Sequence, residues 1–301
     1  GLYEAVTKAN ADGNVQAIVL VCAGKTFIAG ADIREFGLPP EGQPLPAVID
    51  AIENSKKPVV AALHGTALGG GLEVALGSHF RVALPNARFG LPEVKLGILP
   101  GAGGTQRLPR LIGVSRALEL MVSGDQVAAP EALKLGLIDA VLEGDLEAQA
   151  VAYAQSVVTE KKPLRKVRDL TDKLAEGTPD FFAKFRKSQG KKNRGFPAPE
   201  KIVQCVEAAV SKSFDDGIKF EREAFSALRA SPESKAQRYY FFAEREAAKV
   251  SDVGDDVTRR PIKKVGVIGA GTMGGGIAMN FLNIGVPVVM IETKQDALDR
   301  G

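Results

Sequence analysis

Two glutamates lie in short segments where a carboxylate could take part in proton transfer. Glu73 lies one turn into a helix that we expect to begin near Gly70, within HGTALGGGLEVALG (64–77), and Glu93 directly follows Leu91 and Pro92. A lone glutamate in a first helical turn usually only interacts with the helix dipole. Two glutamates in otherwise apolar, glycine-rich surroundings favour shifted pKa values. The pattern therefore predicts general acid–base chemistry at Glu73 and Glu93.

Two glycine-rich segments could supply backbone donors beside these acids. In FIAGADI (27–33), Gly30 permits a tight turn after an apolar strand, which leaves the N–H of Ala31 free to point into a cleft. At Gly70 the N–H group has no intrahelical partner and lies at the positive end of the helix dipole. If both donors converge on one carbonyl oxygen, Ala31 and Gly70 form an oxyanion hole.

A third glycine-rich segment lies near the end of the chain. Gly269, Gly271 and Gly274 have GxGxxG spacing between an apolar strand and a helix, and Glu292 ends the next strand, 21 residues after Gly271. In this context, glycines let the backbone approach a pyrophosphate and the acid accepts hydrogen bonds from a ribose diol. We predict a dinucleotide site in a Rossmann β-α-β fragment.

The surrounding periodicity predicts an α/β fold that positions these residues. Short, β-branched apolar runs indicate buried strands, and apolar residues every three or four positions indicate helices. The predicted strands are 15–22, 58–63 and 79–84, and the predicted helical regions are 115–158, 200–212 and 218–250. We expect the last helix, with Ile218, Phe225 and Leu228 on one face, to pack through its aromatic cluster at 239–242. A loop or linker is expected at 251–261.

Composition excludes several classes of protein. The chain has 301 residues, of which 45% are hydrophobic and 25% charged, so disorder is not its main state. No apolar run reaches the roughly 20 residues of a membrane-spanning helix, and Cys22 and Cys205 suggest neither a disulfide framework nor a metal site. A net charge of +3 without a recognisable binding module argues against nucleic acid. The basic region 161–201 is either a solvated face or a surface that attracts ligand phosphates.

Three motifs, in order, resemble those of the crotonase (enoyl-CoA hydratase/isomerase) family over roughly residues 1–190. They are FIAGADI, ALGGGLEVALG and LPEVKLGILPGAGGTQRLPRLIG. The resemblance implies a crotonase-like ββα spiral core and an acyl-CoA thioester as the substrate. It also implies that the amides of Ala31 and Gly70 hold the thioester oxygen, that Glu73 activates the water that adds to C3, and that Glu93 protonates C2. Hydration itself would need no cofactor.

The same resemblance places coenzyme A along the segment that follows Phe27. By family analogy, the backbone of Ala29, Ala31, Asp32 and Ile33 lines the adenine end of its site. Independently of this analogy, negative charge develops on the thioester oxygen, so removal of one fixed donor should cost about 10²- to 10³-fold in rate.

A hydratase followed by a helical linker and a dinucleotide-binding segment is similar to the bifunctional enoyl-CoA hydratase/3-hydroxyacyl-CoA dehydrogenases of fatty-acid β-oxidation. This implies a hydratase domain at 1–190, a helical linker at 191–261 and the start of an NAD-binding dehydrogenase domain at 262–301, with both ends of the chain cut. NAD would serve the dehydrogenase domain, through Gly269, Gly271, Gly274 and Glu292. Because the segment that supplies the dehydrogenase's catalytic residues is missing, we expect no dehydrogenase activity from this chain.

Several alternatives remain open on sequence alone. A Δ3,Δ2-enoyl-CoA isomerase needs only one carboxylate, and isomerisation could be the main or a second activity. The chain could also be a non-catalytic fragment that binds coenzyme A. A monomer and a homo-oligomer are both compatible with the sequence. The protein would be cytoplasmic in a bacterium and peroxisomal in a eukaryote.

Overall fold

A computed structural model describes residues 1–36, 42–250, 253–254, 257–258 and 260–301. Contacts within the chain divide it into two units, Gly1–Glu246 and Ala247–Gly301. The first unit contains Glu73 and Glu93, and the second contains the glycine-rich segment at 269–274.

The strands of the described residues are β1 (Ile18–Leu20), β2 (Val59–Leu63), β3 (Thr66–Leu68), β4 (Phe80–Ala83), β5 (Arg88–Gly90), β6 (Gln126–Ala128), β7 (Ala140–Val141), β8 (Val265–Ile268) and β9 (Val288–Ile291). In the first unit they form a parallel sheet in the order β1-β2-β4-β7 and a second sheet in the order β3-β5-β6. In the second sheet β3 and β5 are parallel, whereas β5 and β6 are antiparallel.

The helices of the described residues are α1 (Leu2–Ala11), α2 (Leu45–Glu53), α3 (Gly70–Gly77), α4 (Gly104–Ile112), α5 (Val114–Ser123), α6 (Ala129–Leu135), α7 (Leu146–Thr159), α8 (Pro179–Gln189), α9 (Pro197–Ser211), α10 (Phe214–Ala230), α11 (Pro232–Ala247), α12 (Thr272–Asn283) and α13 (Gln295–Arg300). Short 3-10 helices cover Ile33–Glu35, Pro92–Leu96, Val167–Asp169 and Asp172–Leu174.

Strand β2 shows why the core forms. Its sequence VVAAL is buried at every position, as expected for a parallel strand that is covered on both faces. Its register pairs Val60 with Phe80 and Leu63 with Ala83 in β4. Because apolar side chains fill both faces, strand β2 forms the centre of the larger sheet.

The chain alternates between the two sheets in a repeating order. It passes from β2 in the first sheet to β3 in the second and then enters α3, and it repeats this path through β4, β5 and the 3-10 helix Pro92–Leu96. The predicted ββα spiral is therefore confirmed. Successive turns of the spiral place the segment around Glu93 beside the start of α3.

Some predicted elements were too long. The strand predicted at 15–22 is limited to Ile18–Leu20, and the helical region 115–158 is interrupted by β6 and β7. Strands β6 and β7 pair with β5 and β4, so sheet pairing outweighs the local helical spacing at these two strands.

The prediction of one helix over 218–250 was wrong. Helix α10 begins at Phe214, with Ser213 as its N-cap, and ends before Ser231, while α11 begins at Pro232. A residue that precedes proline avoids the helical region, and Ser231 is accordingly extended. The buried face of α10 is formed by Gly217, Glu221, Ala224 and Leu228. It shares only Leu228 with the stripe expected from sequence.

The helices of the predicted linker mostly join the first unit. Helices α9 and α10 pack against α4, and both lie within the unit Gly1–Glu246. The predicted boundaries of the linker, 191–261, stay a prediction. The aromatic cluster was expected to be packing, but Tyr239 and Tyr240 are 77% and 66% exposed. The predicted loop at 251–261 lies partly outside the described residues.

The second unit is a small β-α-β arrangement. Parallel strands β8 and β9 pair along Val265–Ile268, and α12 packs on them. The predicted Rossmann fragment is confirmed in its order and in its parallel pairing. Its apolar side chains are only partly covered, since Ile268 and Met273 are 88% and 77% exposed.

Candidate active site

Glu73 extends from the first turn of α3 to the beginning of α4. Its Oε1 atom accepts hydrogen bonds from the backbone N–H groups of Ala102, at 2.7 Å, and Gly104, at 2.8 Å. The residue is only 3% exposed. Burial raises the pKa of Glu73, whereas the two amide bonds and the charge of Arg107 oppose that rise. Two donors on one oxygen favour the ionised form, which can accept a proton.

The local sequence explains why α4 receives this carboxylate. Gly103, the N-cap of α4, has a φ of 99° and offers no side chain to cap the first amides. The first N–H groups of a helix lack intrahelical acceptors. A methyl group at Gly104 would lie 2.9 Å from Glu73 Oε1 and 2.7 Å from Pro100 Cβ. Glycine at this position therefore lets the carboxylate approach the backbone closely.

Glu93 lies on the 3-10 helix Pro92–Leu96, which Gly97, with a φ of 68°, caps at its C-terminal end. Its Oε2 atom is buried and has no hydrogen-bond partner among the described residues. Its Oε1 atom lies 3.0 Å from the position that a methyl group at Gly69 would occupy. Burial, followed by the charge of Glu73, raises the pKa of Glu93 well above its ordinary value. Glu93 is therefore suited to hold a proton while Glu73 is ionised.

The loop around Gly30 lies beside the beginning of α3. Leu68 donates its N–H to the carbonyl of Ile28, at 3.0 Å, and a methyl group at Gly69 would lie 3.8 Å from Gly30 Cα. A methyl group at Gly71 would approach the carbonyl of Ile28 to 2.1 Å, so only glycine allows this packing. The structure thus brings the two glycine-rich segments together beside Glu93.

The two predicted donor amides lie in these neighbouring segments. Gly70 is the first residue of α3, after an N-cap glycine with a φ of 54°, and Ala31 directly follows Gly30. Within the described part of the chain, neither amide donates a hydrogen bond to another backbone or side-chain group. Both amides are therefore available to an external acceptor.

The segment predicted to contact coenzyme A is largely exposed, and Asp32 is the polar residue among the predicted contacts. Asp32 caps the 3-10 helix that begins at Ile33, and it forms an ion pair with Arg34 at 2.6 Å. Hydrogen bonds from Arg34 lower the pKa of Asp32 to about 2. Ala29 and Ala31 lie on the same segment, beside the Gly30 turn.

Much of the basic region 161–201 is engaged in contacts within the protein. Arg165 pairs with Asp139, Arg168 with Asp215, and Arg186 with Glu200 and Glu207. Lys173 donates to the carbonyls of Leu111 and Leu135. These contacts favour a structural role for some of the basic side chains in 161–201. The attraction of ligand phosphates to this region stays a prediction.

A buried glutamate that lies beside the acid pair, Glu221, was missed in the sequence. Glu221 of α10 is fully buried and accepts hydrogen bonds from the N–H groups of Gly103, at 2.6 Å, and Thr105, at 3.0 Å. The available signal was its spacing, because Glu221 is the one charged residue among Gly217, Ala224 and Leu228 at helical intervals.

In the second unit, the glycine-rich turn and Glu292 are adjacent. Gly269 has a φ of 101°, and a methyl group at Gly274 would lie 1.8 Å from the carbonyl oxygen of Gly269. Gly271 caps α12 without a side-chain hydrogen bond. The N–H of Ala270 donates to Glu292 Oε2 at 3.0 Å, and this bond is the main reason that the pKa of Glu292 falls to about 2.

The described residues lack two kinds of feature, a metal-binding cluster and a membrane-spanning helix. They contain no cluster of three or more histidine, cysteine, aspartate or glutamate side chains that could hold a metal ion. Among the helices that the structure describes, none combines the length and apolarity needed to cross a membrane.

Comparison with known proteins places both units. Residues 1–180 match the enoyl-CoA hydratase/isomerase family, and residues 264–301 match the NAD-binding domain of 3-hydroxyacyl-CoA dehydrogenase. An enoyl-CoA hydratase/isomerase structure from Pseudoalteromonas atlantica is similar, with a TM-score of 0.58 and 28% identity over 81% of this chain and 85% of that one.

Curated relatives are similar over nearly the whole chain. The peroxisomal bifunctional enzyme of Cavia porcellus is 43% identical over 99% of this chain, and the fatty acid oxidation complex subunit alpha of Shewanella loihica is 40% identical over 92%. The chain spans only 42% and 41% of the lengths of these two relatives. The family match covers more than half of the chain and agrees with the fold. The chain belongs to the enoyl-CoA hydratase/isomerase family.

Proposed function

We propose that the first unit hydrates trans-2-enoyl-CoA thioesters to 3-hydroxyacyl-CoA, as one activity of a bifunctional enzyme of fatty-acid β-oxidation. The observation that carries the proposal is the contrast between two neighbouring buried carboxyl groups. Glu73 accepts two amide hydrogen bonds, whereas Glu93 Oε2 has no partner among the described residues. Environments that differ in this way assign one carboxyl group as base and the other as acid.

The proposed reaction uses both groups across the double bond. Glu73 removes a proton from water as the water oxygen bonds to C3, and Glu93 gives its proton to C2. The π electrons of the enoyl group form the new C2–H bond through a thioester with enolate character. Glu73 ends protonated and Glu93 ionised, so one proton must return to Glu93 before the next turnover.

Negative charge grows on the thioester oxygen during this step. We assign its stabilisation to the amides of Ala31 and Gly70, which lie in adjoining segments and have no acceptor among the described residues. Fixed donors of this kind contribute about 10²- to 10³-fold in rate. Ala29, Ala31, Asp32 and Ile33 are proposed to line the adenine end of the coenzyme A site.

The second unit is proposed to contribute to NAD binding. Its residues fit the cofactor, because only glycine at 274 permits the close strand–helix packing and the first amides of α12 have no side-chain cap. Gly269, Gly271 and Gly274 would hold the pyrophosphate and Glu292 the adenosine ribose, and NAD would accept a hydride from the 3-hydroxyacyl group. For location, we propose peroxisomes in a eukaryote, by analogy with the peroxisomal bifunctional enzyme of Cavia porcellus, and the cytoplasm in a bacterium.

Isomerisation of a 3-enoyl-CoA is the nearest alternative. It moves a proton between carbons and needs no water, so one carboxyl group suffices. The presence of two buried carboxyl groups in one site favours hydration, and a 3-enoyl-CoA offered as the only substrate measures the second activity directly. A fragment that binds coenzyme A without turnover would instead leave crotonyl-CoA unchanged.

A crotonyl-CoA assay tests the proposal. Loss of the ultraviolet absorbance of the conjugated thioester, together with a product heavier by one water, is the expected result. Glu93→Gln should lower kcat by about 10²- to 10⁴-fold because it removes the proton donor. The matched control is Glu131→Gln, which changes an exposed glutamate in an ion pair with Arg116. A Glu93→Gln variant with full activity would refute the mechanism.

A further inference from the structure

The N-terminus of α4 is shared by two buried carboxylates from different helices. Glu73 of α3 accepts the amides of Ala102 and Gly104, and Glu221 of α10 accepts those of Gly103 and Thr105. Four consecutive backbone donors therefore alternate between the two acids. These donors lie where a helix has unpaired N–H groups and a partial positive charge, which suits anions.

Glu221 also belongs to a hydrogen-bond network with the side chains of Thr105 and Gln106. Its Oε2 atom also contacts Thr105 Oγ1 at 2.5 Å, and Gln106 Nε2 donates both to that hydroxyl, at 2.9 Å, and to the carbonyl of Cys205, at 2.8 Å. A methyl group at Gly217 would meet Gln106 Oε1 at 2.1 Å, so α10 packs directly on this network. The carboxylate of Glu221 cannot move without moving the backbone of residues 103–105.

This arrangement gives α10 a part in the active site. We propose that Glu221 is a positioning residue for the acid pair: it holds the 103–105 backbone so that the alternate amides of Ala102 and Gly104 meet the carboxylate of Glu73. The inference rests on the proposed hydratase function. It extends that function to a helix that lies beyond residues 1–180, which the hydratase family match covers.

The charges around Glu221 add an electrostatic effect. Glu73 faces it from α3 and Glu93 from the Pro92–Leu96 helix, while the Cys205 thiol faces it from α9 and Arg107 of α4 acts on Glu73. Burial, followed by the charge of Glu73, raises the pKa of Glu221 to about 8. An ionised Glu221 in turn raises the pKa of Glu93. Its removal should therefore make Glu93 lose its proton at a lower pH.

Glu221→Gln tests the proposal, because glutamine keeps the size but can accept at only one of its two terminal atoms. The matched control is Glu176→Gln. Glu176 Oε1 accepts the amide of Val114 at the start of α5, at 2.7 Å, so it caps a helix without being part of the acid pair. Both variants lose a helix-capping carboxylate, so a general loss of stability affects both.

Three measurements distinguish a positioning role of Glu221 from a general effect on the stability of the fold. The amide proton resonances of Ala102 and Gly104 report their hydrogen bonds to Glu73, a carboxyl ¹³C titration reports Glu93, and crotonyl-CoA kinetics report turnover. For Glu221→Gln we expect upfield shifts of both amide protons and a kcat that is about 10- to 100-fold lower. The titration of Glu93 and the alkaline limb of kcat should both move to lower pH, because Glu93 no longer faces the charge of Glu221. Glu176→Gln should leave all three unchanged.

The outcomes distinguish this inference from the proposed function. Unchanged amide resonances and an unchanged Glu93 titration in Glu221→Gln would overturn the role of Glu221. If Glu221→Gln does not fold, Thr105→Val replaces only the hydroxyl that donates to Glu221 with a methyl group, and it should give a smaller shift of Glu93 in the same direction. An unshifted titration there would overturn the inference as well. Wild-type protein that leaves crotonyl-CoA unchanged would refute the hydratase proposal, while the resonances still decide the role of Glu221.

Discussion

Replacement of Gly104 by alanine should slow the chemistry by disturbing one contact of Glu73. The new methyl group would lie 2.9 Å from Glu73 Oε1 and 2.7 Å from Pro100 Cβ, so the carboxylate or the turn has to shift. The hydrogen bonds at risk are those from the amides of Ala102 and Gly104. Their loss weakens both the position and the ionised state of the proposed base.

The magnitude follows from the number of hydrogen bonds. One hydrogen bond to a charged group contributes about 1.5–3 kcal/mol, which corresponds to roughly 10- to 150-fold in rate if the whole contribution is lost in the transition state. Overpacking costs about 1–3 kcal/mol, while alanine gains up to about 1 kcal/mol over glycine within a helix. We therefore expect Gly104→Ala to fold, with kcat lower by about 10- to 100-fold.

Steady-state hydration of crotonyl-CoA measures this effect, with urea unfolding as the check on stability. Gly13→Ala is the control, because a methyl group at Gly13 would meet nothing within 4 Å. A lower kcat with a largely preserved unfolding midpoint supports the account. If Gly104→Ala and Gly13→Ala have equal kcat values, the contact between Glu73 and the start of α4 does not matter for catalysis.

Two further predictions concern stability. Glu53→Gln should lower the free energy of unfolding by about 3–5 kcal/mol, because it leaves Arg107 as a buried cation without its bidentate partner. The control Glu131→Gln breaks an exposed ion pair and should cost under about 1 kcal/mol. Equal urea midpoints for the two variants would contradict this prediction. The pKa of Glu221 is raised from 4.5 to about 8 in the folded protein, so its contribution to stability is fully present below pH 4.5 and is lost as the pH rises through about 8. The difference in unfolding free energy between wild type and Glu221→Gln should therefore change between pH 4.5 and about 8 and stay constant outside this range. A difference that stays constant from pH 4 to pH 9 would show that Glu221 does not titrate in this way.

The sequence was most informative where local geometry restricts the residue type. Gly30, Gly69 and Gly103 adopt positive φ values, and glycine at 71 and 274 permits close backbone approach, so these motifs could be recognised without coordinates. For these glycines the cause lies within a few residues of the signal. The short apolar runs indicated only an α/β fold, and the ββα order was implied by the resemblance to the crotonase family.

Features that depend on distant contacts were harder to predict. Glu221 lies 118 residues from Gly103, whose amide it accepts, and no local pattern specifies that pairing. The break at Ser231 could have been read from Pro232, but the apolar spacing on both sides suggested a continuous helix. The exposure of Tyr239 and Tyr240 was missed because an aromatic cluster usually packs, and no spacing rule specifies the surface against which it does so.

The most direct test of the central claim is hydration of crotonyl-CoA in ¹⁸O-labelled water by wild type, Glu73→Gln and Glu93→Gln, with the product followed by mass spectrometry. We predict that wild type forms 3-hydroxybutyryl-CoA with one labelled oxygen. Each variant should form it about 10²- to 10⁴-fold more slowly, because one has lost the base that activates water and the other the acid that protonates C2. Label incorporation at the wild-type rate by either variant would contradict the assignment of Glu73 and Glu93 as the pair that adds water.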